Sequence, residues 1–205
     1  MQGMPLRLLL LSLPLLLIAC AEPGPRLPPL PREGVILAFG DSLTFGSGAS
    51  GGESYPAVLE QLTGRKVINA GIPGETTAEG LERLPALLDR HRPDLLLLCE
   101  GGNDMLRRLD PGEAEANLRR MIGEARRRGV PVLLIAVPRP GLLLSDAGFY
   151  ARLARESRVP LLADALPRIL ADEALKSDPV HPNAAGYRKL AEAVRDRLRE
   201  LGALQ

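Results

Sequence analysis

The feature that most constrains this chain is an alternation. From residue 35 onward, short apolar runs take turns with longer amphipathic stretches. Val35-Ile36-Leu37-Ala38-Phe39, Lys66-Val67-Ile68-Asn69-Ala70, Asp94 to Cys99, Val130 to Val137 and Val159-Pro160-Leu161-Leu162 read as strands. The most continuously apolar of them suit strands covered on both faces. Between them, Glu53 to Thr63, Thr77 to Arg90, Glu113 to Arg128, Asp146 to Ser157 and Asn183 to Leu201 read as helices. Leu81, Leu84, Leu87 and Leu88 fall at helical spacing, and Gly64 and Gly129 stand where helices stop. Strand and helix in turn predict an α/β domain of about five parallel strands, with helices on both faces of the sheet. Right-handed crossovers restrict its topology, and ligands of such sheets collect at the carboxyl ends of the strands. Residues 34–205 are long enough for one domain with a full core.

Composition removes several functions. The formal net charge is +1 and acids and bases are interspersed, so the basic stripe that a nucleic acid requires is missing. The 23 arginines against 3 lysines read as a compositional bias, with Arg107-Arg108 and Arg126-Arg127-Arg128 on solvated helix surface. There is no Trp, which argues against a stacking platform for sugars or bases. Two histidines and two cysteines are too few for a metal site built on such ligands, and none is expected.

The N-terminus reads as an export signal over residues 1–19. Arg7 supplies positive charge, and Leu8 to Ile18 is an apolar run too short to cross a bilayer of ~30 Å comfortably. The run ends in Leu17-Ile18-Ala19-Cys20, which resembles the lipobox of bacterial lipoproteins. That resemblance implies cleavage before Cys20 and its lipidation, and a chain anchored to the outer face of a bacterial membrane. Alternatively, the signal is an ordinary cleaved one and the domain is periplasmic. Ala21, where many inner-membrane lipoproteins carry aspartate, hints at an outer membrane. Pro23, Pro25, Pro28, Pro29 and Pro31 give residues 20–33 the composition of a stiff, extended tether. Cys99, within an apolar run, reads as a buried strand thiol with no disulfide partner.

Four patches carry polar groups suited to chemistry. Gly40-Asp41-Ser42 follows the first strand, and Ser42 is a candidate nucleophile or, alternatively, part of a turn that caps backbone donors. His181 lies in Asp178-Pro179-Val180-His181-Pro182-Asn183, before the last helix. A carboxylate three residues back can fold onto the imidazole Nδ1–H, fix the tautomer and leave Nε2 as a base. Serine needs such a base to attack at neutral pH. Gly71, after the second strand, and Asn103, after Gly101-Gly102, are candidate donors to an oxyanion, together with the Ser42 N–H. Each also has a plain structural reading: Gly71 as a turn glycine, Asn103 or Asp104 as a helix cap. His91 reads as a cation at a helix end.

These patches resemble, in order and spacing, the blocks of the SGNH or GDSL-type hydrolase superfamily. Gly40-Asp41-Ser42-Leu43, Gly71, Gly102-Asn103-Asp104 and Asp178-x-x-His181 match four of them. Glu53-Ser54-Tyr55-Pro56, Asn69 to Thr77 and Glu100 to Arg107 are similar to the bacterial thioesterase I, arylesterase and lysophospholipase branch. The resemblance implies a flavodoxin-like, three-layer α/β/α sandwich without cofactor. It implies a catalytic set of Ser42, Asp178 and His181, and an oxyanion hole of Ser42, Gly71 and Asn103. The expected reaction is cleavage of acyl esters, and possibly thioesters, through an acyl-enzyme; the expected substrates are small acyl esters or lipids. Leu142-Leu143-Leu144 would line an acyl groove or make a helix-entry contact. Carbohydrate O-deacetylation in the same superfamily is the alternative. A phosphate- or flavin-binding loop at Ser42 to Gly48 leaves Asp178, His181 and Asn103 without a task.

Overall fold

The computed structural model describes residues 25–139, 141 and 146–205. Cys20, the export segment and Leu142-Leu143-Leu144 lie outside the described residues. The strands are β1 (Val35–Gly40), β2 (Lys66–Gly71), β3 (Leu95–Cys99), β4 (Val132–Ile135) and β5 (Leu161–Leu162). All pair in parallel, in the order β2-β1-β3-β4-β5. The chain leaves β1 for one edge and then crosses back to β3, so the connections diverge between β1 and β3. A crevice forms at such a switch point, outside the carboxyl ends of the strands. In register, Gly40 stands between Gly71 of β2 and Cys99 of β3. The three segments that follow these residues therefore leave the sheet at one level.

The helices are α1 (Ser42–Phe45), α2 (Tyr55–Thr63), α3 (Thr77–His91), α4 (Gly102–Leu106), α5 (Pro111–Arg127), α6 (Phe149–Ser157), α7 (Ala165–Ala171) and α8 (Ala184–Glu200). α2 and α7 pack with α8, whereas α3 packs on α5 and α5 on α6. Central strands β3 and β4 are buried throughout, as their apolar runs require. β2 is an edge strand and stays half-exposed. The long helices are capped as their sequences direct. Thr76 and Glu79 form a reciprocal capping box on α3, Asp110 caps α5, and Asn183 accepts from the Gly186 N–H to cap α8. α3 turns Gly80, Leu84 and Leu88 inward, at the spacing of one helical face.

The short helices α1 and α4 stand where the sequence leaves a turn or a helix start open, and α7 stands where it offers no helix. Residues 25–33 need a correction too, because they are not wholly a free tether. Leu27 and Leu30 are 6% and 7% exposed and belong to the core. Their N–H groups donate to the carbonyls of Leu201 and Ala203 at 3.1 and 2.9 Å. A polyproline backbone repeats every three residues, so the sequence spacing of the two leucines among prolines suits their joint burial. The packed domain therefore begins ahead of residue 34. Cys99 is fully buried and has no disulfide partner among the described residues, and burial pushes its thiol well above the ordinary range. It holds its proton and packs as a small apolar side chain.

Candidate active site

Ser42 opens α1 directly beyond β1. Asp41 caps this helix: its Oδ1 accepts from the Leu43 N–H at 2.9 Å. As the first helical residue, Ser42 carries an N–H that the helix itself cannot satisfy. Tight packing under the serine dictates glycines around it. A Cβ at Gly40 would lie 2.1 Å from the Cys99 carbonyl oxygen and 2.3 Å from Thr44 Oγ1. After α1 the chain turns through Gly46 and Gly48, both at positive φ. A Cβ at Gly48 would lie 2.1 Å from Ser177 Oγ and 2.7 Å from the Pro182 carbonyl oxygen. This glycine loop thus lets the segment carrying His181 approach the serine.

That segment is tied by one carboxylate. Asp178 Oδ1 accepts from the N–H groups of Val180 and His181 at 2.8 and 2.9 Å. Its Oδ2 lies 2.8 Å from His181 Nδ1. A carboxylate at Nδ1 selects the tautomer with the proton there and leaves Nε2 as the acceptor. Nε2 lies 2.9 Å from Ser42 Oγ, across 139 residues of sequence. Partial burial pushes the Asp178 carboxyl up, but the hydrogen bonds from the His181 ring and the Val180 and His181 N–H groups outweigh it. The carboxyl lies below its usual range and stays ionised opposite the ring. Tyr187 of α8 donates to the Ser47 carbonyl at 2.8 Å and steadies the loop behind the serine.

The two other expected donors differ. Asn103, in α4, donates through Nδ2 to the Glu75 carbonyl at 2.8 Å and to Asp41 Oδ2 at 3.3 Å. It is therefore in the same network as the residue preceding the nucleophile. The Gly71 N–H, by contrast, donates to Asn69 Oδ1 at 3.0 Å. Gly71 also has a packing reason to be glycine, because a Cβ there would lie 2.1 Å from the Phe45 nitrogen. Beyond Gly71, Ile72-Pro73-Gly74-Glu75 forms a β-turn closed by the Glu75 N–H on the Ile72 carbonyl at 3.2 Å. Pro73 fills its second position and Gly74, at φ 82°, its third, as a type II turn requires.

Of the acids behind Ser42, sequence reasoning named Asp41 and Asp104 only as motif residues or caps and gave Glu75 and Glu100 no role. Asp41, Glu75, Glu100 and Asp104 are all buried. Asp104 accepts from the Thr77 N–H and Oγ1 at 2.9 and 2.6 Å. Burial pushes the Asp41 carboxyl up to about 7, against the pull of the Leu43 N–H. Burial also pushes the Glu100 carboxyl well above its usual range, and the charges of Asp41 and Glu75 add to the shift. The signal in the sequence was thin: Asp41, Glu75 and Glu100 adjoin glycines and Asp104 follows Asn103, and no pattern there separates buried from solvated carboxylates.

A cavity of ≈ 170 Å³ opens beside Ser42 and His181, and Leu43, Leu106, Val137 and Leu170 give it apolar walls. No group of His, Cys, Asp and Glu among the described residues could hold a metal ion. None of the described helices is long and apolar enough to cross a membrane.

A doubly wound parallel sheet that carries a Ser–His–Asp chain of hydrogen bonds at its carboxyl edge has the architecture of a serine hydrolase. Residues 38–189 match the GDSL-like Lipase/Acylhydrolase family, and the chain belongs to that family of serine esterases. It is 34% identical over 174 residues to Thioesterase 1/protease 1/lysophospholipase L1 of Escherichia coli (strain K12), covering 81% of this chain and 84% of the relative. It is 35% identical over 174 residues to an Arylesterase of Vibrio mimicus, covering 80% and 87%. A crystal structure of TesA superposes with a TM-score of 0.74 at 30% identity, covering 82% of this chain and 99% of that one.

Proposed function

We propose that Ser42, His181 and Asp178 are the catalytic residues of an esterase for short acyl esters, with thioesters as further substrates. The observation that carries this reading is the continuous path from Ser42 Oγ to His181 Nε2 at 2.9 Å and from His181 Nδ1 to Asp178 Oδ2 at 2.8 Å. Ser42 Oγ attacks the acyl carbonyl carbon while His181 Nε2 takes its proton, and Asp178 balances the imidazolium. The imidazolium then protonates the leaving alcohol or thiol as the tetrahedral intermediate collapses to an acyl-enzyme. Water, deprotonated by the same imidazole, releases the acid. The small apolar cavity beside Ser42 suits a short acyl chain.

Charge on the former carbonyl oxygen is met by the Ser42 N–H and by Asn103 Nδ2, which exchanges its long 3.3 Å bond to Asp41 for the oxyanion. A third donor, expected at Gly71, is better supplied by the Ile72–Glu75 turn. That turn leaves the Gly74 N–H out of its own hydrogen bond, and the Glu75 carbonyl ties it to Asn103. A fluorophosphonate probe is expected to label the peptide containing Ser42. Ser42→Ala is expected to lower kcat on p-nitrophenyl acetate and butyrate by more than about 10⁴-fold with the fold intact. Wild-type-like turnover by that variant would refute the assignment.

The chain is exported and anchored through lipidated Cys20, a reading supported by the apolar run and the Leu17-Ile18-Ala19-Cys20 sequence that ends it. Labelled fatty acid supplied to expressing cells is expected to enter the wild-type chain and not Cys20→Ala. Equal incorporation in both, or none in either, rules the anchor out.

A further inference from the structure

Asn103 is held at its amide nitrogen by a backbone carbonyl, and that carbonyl belongs to a residue whose side chain is itself clamped. Glu75 accepts from Arg83 Nε at 2.5 Å through Oε1 and from Arg83 Nη2 at 2.6 Å through Oε2. Both carboxylate oxygens are thus taken by one planar fork, a geometry that arginine alone among the side chains provides. Arg83 Nη2 also donates to the Ala70 carbonyl at 2.7 Å, at the end of β2. Its guanidinium lies 4.1 Å from the centre of the Phe39 ring, in the strand that leads to Ser42. One side chain on α3 therefore grips the ends of β1 and β2 and the turn between them and Asn103.

The surroundings make room for this pair. Glu75 keeps 4% of its side-chain surface exposed and Arg83 23%. A Cβ at Gly80, inside α3, would approach the Phe39 ring to 3.2 Å and Glu75 Oε2 to 3.3 Å. Glycine in a helix interior costs about 1 kcal/mol relative to alanine, and here it leaves space over the ring and the carboxylate. The turn is fixed from its other end by the Ile72 N–H on the Gly40 carbonyl at 3.0 Å. The Glu75 carbonyl therefore has little freedom to leave Asn103.

We infer that the Glu75–Arg83 ion pair is a positioning device for the side-chain oxyanion donor Asn103, an inference that rests on the role proposed for Asn103. The pair touches no reacting atom in this arrangement. It sets the height of the Glu75 carbonyl and, through it, the direction of the second Asn103 N–H. A misplacement of ~1 Å in such a group costs about 100-fold in rate, and losing an oxyanion donor outright costs about 10²–10³-fold. The pair should matter for the transition state and little for the bound substrate.

The test is a double-mutant cycle on the full chain with p-nitrophenyl butyrate, with the fold of each variant checked by thermal melting. Arg83→Met is expected to lower kcat by about 10- to 100-fold with KM changed less than about 3-fold. In an Asn103→Ala background the same substitution is expected to cost less than about 3-fold, because the group it positions is gone. Arg83→Lys, which keeps the charge but not the fork, should recover only part of kcat. An equal loss in both backgrounds, or a loss confined to KM, overturns the inference and leaves a purely structural pair. Where Asn103→Ala keeps wild-type kcat, the role of Asn103 falls first, and the positioning role falls with it. Should Arg83→Met fail to fold, Glu75→Gln keeps the carbonyl and the volume and goes through the same cycle. Unchanged kcat in that variant overturns the inference as well.

Discussion

Asp41 performs two tasks with one carboxyl group. One oxygen caps the helix that Ser42 opens, and the other faces the amide of Asn103. Burial among Glu75 and Asp104 makes its ionised form costly, which pushes the carboxyl from 3.8 to about 7. The sign of the effect on stability follows. Between those two values the folded chain holds a proton that the unfolded chain has released, so stability falls as pH rises through the window. Asp41→Asn keeps an oxygen acceptor for the Leu43 N–H and removes the titration. The variant is expected to gain stability relative to wild type as pH rises from about 4 to about 7, and to hold that gain above it. Urea midpoints of the two proteins across that range measure the difference. Parallel profiles would show that Asp41 does not titrate there.

Elements divide into those the residues announce and those that only packing reveals. The long helices and the central strands were legible because their apolar spacing is regular and their caps stand at the ends: Thr76 with Glu79, Asp110, Asn183. α1, with four residues, and α4, with five, are too short to show a period, although they carry Ser42 and Asn103. Catalytic candidates were legible as residue types at fixed offsets, and the Asp178–His181 loop has the hydrogen bonds that its spacing suggests. Glycines misled more easily. Gly71 reads as a donor, yet its N–H is used by Asn69 and its missing Cβ admits Phe45. Gly48 falls in the stretch that a phosphate loop would use, whereas its bareness lets Ser177 and Pro182 come close. A sequence displays that a glycine is present; only the neighbouring backbone displays why. The same holds for the Glu75–Arg83 pair, whose partners lie eight residues apart across a turn and a helix start.

At the scale of the whole molecule, the sheet has two ends with different duties. Ser42, Asn103 and the Ile72–Glu75 turn follow the carboxyl ends of β1, β3 and β2. Residues Pro28 to Pro31 border instead on Asp94 and Pro131, which precede β3 and β4 at the amino end. A strand of six residues is about 20 Å long at ~3.3 Å per residue, so the incoming chain and the nucleophile lie on opposite sides of the domain. From Cys20 to Pro25 the chain can reach at most about 18 Å. An anchor at Cys20 would hold the amino end toward the membrane and turn the cavity outward, to esters arriving from solution. Leu27 and Leu30 fasten this entry segment to the domain, so their loss should cost stability and spare catalysis. Leu27→Ala and Leu30→Ala are each expected to destabilise by about 2 kcal/mol, the low end for buried leucine because the segment lies at the domain's edge. The two together should lower the urea midpoint roughly additively unless residues 25–33, which form this strap, release as a unit, in which case the second change costs less than the first. In both cases kcat on p-nitrophenyl butyrate should stay within about 2-fold of wild type, since no hydrogen bond of the catalytic chain passes through the strap. A wild-type midpoint in the double variant would mean that the strap contributes no stability, and a large loss of kcat would mean that the two ends of the sheet are coupled.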